Sequence, residues 1–291
     1  MIEFDFLRLL KDNYVADSYQ FFSACRFKIT SSEISYNALG KLINEYLQNA
    51  KKETDEMYKQ LSDTKKFSLI GKSDNINYLG QELSRTIIID KLTIEIFSLL
   101  HSFFDTFAQW INSCLLGENA LKLKKVTYHN VIIEMDKYPE FTGQFIIDVK
   151  ELENRPEYKY IADINNIIKH RYQVYTKSMY NIFDGEGKVS LPQFQKDNNS
   201  YSDKEVLQII FECLNFCKVI LNNSQTFVEQ YYTSLANKHV KHRLYNPKTY
   251  MLFEKEEDFK QLRNIKNSIH YIEVDSENIL NEYHIMSYAD S

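Results

Sequence analysis

The chain has 291 residues, a net charge of −5, a hydrophobic fraction of 44% and an aromatic fraction of 14%. These values exclude a disordered chain, which would be poor in aromatics, and a polybasic nucleic-acid coat. With only 7 Gly and 4 Pro, long helices are favoured over a turn-rich β architecture, so the composition predicts a mainly α fold built as a helical bundle.

Residues 3–24 are apolar and aromatic, with Leu9, Leu10, Phe21 and Phe22 prominent, and read as a first helix. Ser31 and Ser32 offer an N-cap with Glu33 in the first turn, and Ile34, Leu39, Leu42, Ile43, Tyr46 and Leu47 continue at helical spacing to about Leu61. A loop is expected over Lys65–Asn77. The most apolar segment, Tyr78–Leu116, predicts a helix for the centre of the bundle, with Gly117 as its stop.

Residues 121–153 change character. Val126-Thr127-Tyr128, Val131-Ile132-Ile133 and Phe145–Val149 are short and β-branched, with Pro139 and Gly143 between them, and predict a strand excursion or an ordered loop. Pro156 suits the first turn of a helix over 157–176. Gly185, Gly187 and Pro192 mark a loop, and Ser202-Asp203-Lys204-Glu205 has the pattern of a capping box launching a helix to about Asn237. The tail beyond Pro247 holds two strand-like runs, at 250–253 and 269–274.

The chain thus divides into N-terminal helices at 1–75, a helical bundle at 76–240 with a small β or irregular insert at 121–155, and a C-terminal appendage at 241–291. Met1-Ile2-Glu3-Phe4-Asp5-Phe6 lacks the basic-then-apolar order of a signal peptide, and no stretch approaches about 18 uninterrupted apolar residues. A cytoplasmic protein with no membrane span is expected. Cys25, Cys114, Cys213 and Cys217 are too few and too scattered for a disulfide framework. Cys213 and Cys217 stand four apart, but no second pair completes a metal site, so core packing is expected, with no metal and no cofactor.

Two patterns carry candidate chemistry. His101, Asp105, Gln109 and Asn112 fall at i, i+4, i+8 and i+11, which at about 100° per residue is one stripe on an otherwise apolar helix. Buried polar groups require partners, so the stripe predicts a polar neighbouring helix or a wet groove. On the 157–176 helix, Asn166, Lys169, His170 and Gln173 share a side, and Arg171 follows. Three adjacent cationic donors suit a groove that receives an anion. Asp105 is expected within hydrogen-bond reach, directly or through one water, of a residue in 165–173. The blander readings are a satisfied core histidine for His101 and a solvated helix face for Lys169–Arg171.

His101-Ser102-Phe103-Phe104-Asp105-Thr106-Phe107-Ala108-Gln109-Trp110-Ile111-Asn112, followed by Ile164-Asn165-Asn166-Ile167-Ile168-Lys169-His170-Arg171, resembles the HEPN superfamily (higher eukaryotes and prokaryotes nucleotide-binding) over about residues 90–235. The resemblance implies a four-helix core, commonly a homodimer, and in many members a metal-independent ribonuclease of toxin–antitoxin, abortive-infection or other antiviral defence systems. The usual signature there is an Arg, then a His after about four to six intervening residues, with the His as general acid or base on the ribose 2′-hydroxyl and the Arg on the phosphate.

By that resemblance His170 is the proton-moving candidate, Lys169 and Arg171 bind phosphate, and Asn166 orients His170 or the ribose. The chain departs from the signature, because the Arg position would fall among Asp163–Asn165 and none of these is Arg. Lys169 or Arg171 can supply the missing charge; a non-catalytic member binding RNA, a nucleotide or a protein partner is the other reading. A second segment fits the signature by letter: Arg263-Asn264, followed by His270 after six residues, although Ile269–Val274 alternates like a strand. Lys238, His239, Lys241, His242 and Arg243 form a further basic knot, read as a complement to a helix dipole or as a phosphate contact.

Overall fold

The computed structural model describes residues 6–7, 9–10, 18–64, 74–116, 120–138, 143–171 and 174–235. Among these residues six helices of seven residues or more, α1 (Ser18–Thr64), α2 (Arg85–Leu115), α3 (Tyr128–Met135), α4 (Gln144–Lys150), α5 (Pro156–His170) and α6 (Val206–Leu235), make the protein mainly α. The described residues also hold seven short strands: β1 (Asn75–Tyr78), β2 (Gln81–Ser84), β3 (Lys177–Asn181), β4 (Glu186–Leu191), β5 (Phe194–Lys196), β6 (Asn199–Tyr201) and β7 (Lys204–Glu205). The chain clusters into two compact units. One is drawn from Met1–Arg26, Phe103–Glu151 and Val219–Ser291, and the other from Phe27–Ser102 and Leu152–Lys218.

In the first unit Phe22 meets both Phe6 and Trp110, and Phe107 packs on Phe103, Trp110 and Tyr128. Within the β-branched stretch after residue 121, expected as strands or loop, Tyr128–Met135 and Gln144–Lys150 are helical. Thr127 caps α3 by accepting from the Asn130 amide, and Tyr128, Val131 and Met135 then fall on one buried face. Ile146 and Val149 do the same for α4, and the Tyr128 hydroxyl donates to the Val149 carbonyl. Burial at helical spacing has overridden β propensity.

In the second unit α1 runs straight through Ser31 and Ser32, where an N-cap was expected. Ser32 sits on the buried stripe Ile29, Ser32, Leu39, Ile43, and its hydroxyl donates to the Lys28 carbonyl one turn back at 2.8 Å. A serine that bonds to its own helix in this way does not need to cap a new one.

The expected helix from Tyr78 begins only at Arg85, because a hairpin precedes it. Leu79 and Gly80 both adopt positive φ, 51° and 83°, between the paired Tyr78 and Gln81. The Arg85 amide donates to the Asp74 carbonyl at 2.9 Å, closing the hairpin onto α2.

The segment expected as a loop around Gly185 is the β3–β4 hairpin, and β7 adds to β4 in the order β3-β4-β7, all antiparallel. Gly187 is needed there: a Cβ would lie 2.5 Å from Leu47 Cδ2 and 2.7 Å from Tyr180 Cδ2. The expected capping box at 202–205 is likewise extended, since Lys204 and Glu205 pair with Leu191 and Ser190, and Asp203 accepts from the Gln193 amide rather than from α6.

By length and composition alone Val206–Ser234 could cross a bilayer. A core helix passes the same test, and Val206, Ile210, Cys213, Cys217, Leu221 and Val228 along it are buried.

Candidate functional site

Helix α5 carries the candidate residues, and its position follows from its buried face. Pro156 starts it, and Tyr160, Ile161, Ile164 and Ile167 turn inward. Tyr160 packs edge-on against Phe194 and Tyr201 and contacts Phe97 of α2. The Lys204 ammonium lies 5.3 Å above its ring. Burial pushes the Tyr160 phenol pKa upward, so it stays a neutral hydroxyl.

Asn165 is fully buried, and its Oδ1 lies 3.4 Å from Ser98 Oγ of α2. Within this unit Ser98 and Asn165 make a polar pairing between α2 and α5. One helical turn of α5 is also stitched to the β5–β6 hairpin, because Asp163 Oδ2 accepts from Asn199 Nδ2 at 2.8 Å and from Tyr201 Oη at 2.7 Å. Burial and then the Asp163 carboxylate raise the Tyr201 pKa, which keeps the donor proton on Tyr201.

The far end of α5 faces water. Lys169, His170 and Arg171 are exposed, while Asn166, one turn before His170, is half-buried. The helix ends at His170 and Arg171 is its C-cap, donating its amide to the Ile167 carbonyl at 2.9 Å. The expected continuation to 176 is not found at Val174 to Thr176, which are neither helix nor strand: the Thr176 amide and hydroxyl both donate to Asp90 Oδ1, at 2.7 and 2.8 Å, just before β3. Cations in a last turn complement the negative end of the helix dipole, which is their minimal role.

A carboxylate absent from the sequence-based candidates meets this end. Asp197, in the β5–β6 turn, places Oδ1 3.4 Å from Arg171 Nη2, and its Oδ2 accepts from Lys196 Nζ. Asp197 adopts φ 52°, a left-handed conformation that Asp and Asn tolerate better than most residues. The Lys196 hydrogen bond, then the charges of Lys196 and Arg171, hold its carboxyl below the usual range. The signal for a turn was present in Lys196-Asp197-Asn198-Asn199; the signal for contact with Arg171 was not.

The polar line on α2 divides by burial. Asn112 is fully buried and clamps the chain after α2, with Nδ2 donating to the Leu121 carbonyl at 3.0 Å and Oδ1 accepting from its amide at 2.7 Å. Gln109 is half-buried, and its Oε1 has no hydrogen-bond partner among the described residues. His101 is half-buried and Asp105 is exposed. Arg263, Asn264 and His270, the basic knot at 238–243, Gln173 and the 241–291 appendage lie outside the described residues.

Cys25, Cys114, Cys213 and Cys217 are buried, and none is disulfide-bonded among the described residues. Burial, then the charge of Glu157, pushes the Cys213 thiol up to about 12, which keeps it protonated in the core. Among the described residues no group of three or more His, Cys, Asp and Glu could hold a metal ion. Comparison of the chain with protein-family models, curated proteins and solved structures finds no match.

Proposed function

We infer that the chain is a HEPN-type effector that acts on RNA at the C-terminal end of α5. The observation that carries this reading is His170, exposed between the exposed cations Lys169 and Arg171 and one turn beyond Asn166. In the proposed reaction an imidazole takes the proton of a ribose 2′-hydroxyl, and the 2′-oxygen attacks the adjacent phosphorus. The 5′-oxygen leaves with a proton from a second imidazole, and a 2′,3′-cyclic phosphate remains. One chain offers a single His170, so the two proton transfers call for a homodimer that brings two copies into one cleft. Lys169 and Arg171 hold the phosphate and Asn166 orients the ribose or the imidazole. The resemblance extends the proposal to an antiviral or toxin–antitoxin role with a cognate protein partner.

The experiment is an RNA cleavage assay on the full chain with and without EDTA, beside His170→Ala. Cleavage should survive EDTA and fall on the order of 100-fold or more in His170→Ala. The melting temperature should not move, because His170 is exposed. Full cleavage by His170→Ala would overturn the assignment, and light scattering at micromolar concentration giving a monomer mass would overturn the shared cleft.

A second reading, a module that binds RNA without cutting it, is favoured by two observations. No Arg precedes His170 on α5, and Asn165, at the corresponding position, is turned into the core against Ser98. RNA binding that is lost in Lys169→Ala, with no cleavage by the wild type, selects this reading.

A further inference from the structure

Lys196 and Arg171 come from separate elements, the β5–β6 hairpin and the end of α5, yet both converge on one carboxylate. The two oxygens of Asp197 are divided between them, Oδ1 toward Arg171 and Oδ2 toward Lys196. A carboxylate with one negative charge shared over two oxygens, bridging a guanidinium and an ammonium, has the charge and acceptor pattern of a bound phosphodiester. The hairpin that presents Lys196 is fixed to α5 independently of this contact by Asn199 and Tyr201 on Asp163. The two cations therefore stay close when Asp197 is withdrawn. All of these groups are in the same compact unit, and Arg171 and Asp197 remain well hydrated, so an incoming anion can reach them.

The geometry points to Arg171 and Lys196 as a phosphate subsite for single-stranded RNA, with Asp197 as a built-in anion that the RNA backbone must displace. The inference rests on the RNA reading of α5 and deepens it. Lys196 becomes a phosphate contact that no sequence motif suggested, and Asp197 becomes a competitor that sets how tightly RNA is held. Displacement returns the Asp197 carboxylate to water and exchanges one charge-assisted contact for another. The wild type therefore gains less from each phosphate than the number of its cations suggests.

The test is Asp197→Asn in the full chain, a neutral isostere that tolerates the same left-handed backbone. Binding is followed by fluorescence anisotropy with a labelled single-stranded 2′-O-methyl RNA, which cannot be cut through its 2′-oxygen, over a series of salt concentrations. Inorganic pyrophosphate titration serves as a second probe. Asp197→Asn should bind RNA roughly two- to fivefold more tightly, the factor expected when a competing surface ion pair is removed. Its slope of log affinity against log salt should steepen by roughly 0.7, one more single-strand phosphate neutralised. Adding Lys196→Gln or Arg171→Gln to Asp197→Asn should cancel the gain.

Equal affinity and equal salt slope for wild type and Asp197→Asn would overturn the subsite while leaving RNA binding through Lys169 and His170 standing. Tighter pyrophosphate binding by Asp197→Asn with no RNA binding by either protein would uphold the subsite and remove RNA as its ligand. Unchanged binding of both probes overturns it. Should Asp197→Asn not fold by circular dichroism, Lys196→Gln alone decides: it must weaken binding of the RNA or of pyrophosphate, and wild-type affinity for both rejects the proposal.

Discussion

Arg85 and Arg171 each meet carboxylates within the same compact unit, and the contrast between them separates a structural ion cluster from an available one. Arg85 is the buried member of its cluster: its side chain is 6% exposed, against 35% for Asp74 and 59% for Glu45. Its Nε reaches both oxygens of Asp74 at 3.0 Å and its Nη1 reaches Glu45 at 2.6 Å. Burial works against its charge, but the hydrogen bonds it donates to Glu45 and Asp74 outweigh it and leave its pKa raised. Arg171 is 46% exposed, and its partner Asp197 is 67% exposed. The first cluster ties α1, the β1–β2 hairpin and α2 together; the second leaves both groups in water, ready to exchange partners. Burial, not the identity of the residues, decides which pair is scaffold and which is open to a ligand.

That comparison can be broken most directly at Arg85. Asp74→Asn combined with Glu45→Gln leaves a buried guanidinium without a counter-charge, and urea denaturation should show a loss of about 3 kcal/mol or more. A loss no larger than that of a surface substitution would mean that Arg85 is hydrated and that the two clusters are alike.

Tyr201→Phe comes next. It removes a hydrogen bond to the Asp163 carboxylate and should cost about 1–2 kcal/mol in the same measurement. An unchanged stability would show that the hairpin is held to α5 by its aromatic packing alone. Arg171→Gln is expected to change stability by no more than about 0.5 kcal/mol, because its ion pair is exposed. A larger loss would place Arg171 on the scaffold side of the contrast.

A similarly small effect is expected at Glu95, which accepts from Lys91 Nζ at 2.7 Å and from Ser35 Oγ at 2.9 Å. The Lys91 hydrogen bond, with help from Ser35, lowers its pKa against the burial that would raise it. A lowered carboxyl pKa contributes stability that is present above the ordinary carboxylate range and is lost as pH falls through the lowered value. Glu95→Gln should therefore cost roughly 0.5 kcal/mol at pH 7, after allowing for solvent screening. The difference from wild type should shrink when the two are compared in acid. A constant difference across pH would assign the effect to packing.

The parts of the fold legible in the sequence are those fixed by local chemistry. Pro156 marks the start of α5, and the apolar period of α6 is read directly from Val206, Ile210, Leu214, Cys217 and Leu221. The parts that were not legible depend on distant partners. Ser32 reads as a cap until the helix is seen to continue through it with its hydroxyl turned back to Lys28. Tyr78–Ser84 reads as helix until Asp74 is seen to anchor Arg85. The same holds for the candidate site. Lys169, His170 and Arg171 stand together in the sequence and remain together at the exposed end of α5. Asp197 reaches Arg171 only through tertiary structure, across 26 residues of chain, and no local pattern encodes that contact.

Asn112 has a further consequence, for the chemical ageing of the chain. Deamidation begins when the following backbone nitrogen attacks the side-chain carbonyl, which requires both to swing freely. In Asn112 the carbonyl oxygen and the amide nitrogen are both committed to Leu121, and the backbone is held in α2. Asn198 has no such shelter, lying exposed in the turn beside Asp197. Slow hydrolysis would thus spare the clamp after α2 and add its new negative charge at the β5–β6 turn. An old preparation would keep its fold while the surface around Arg171 and Lys196 became more acidic.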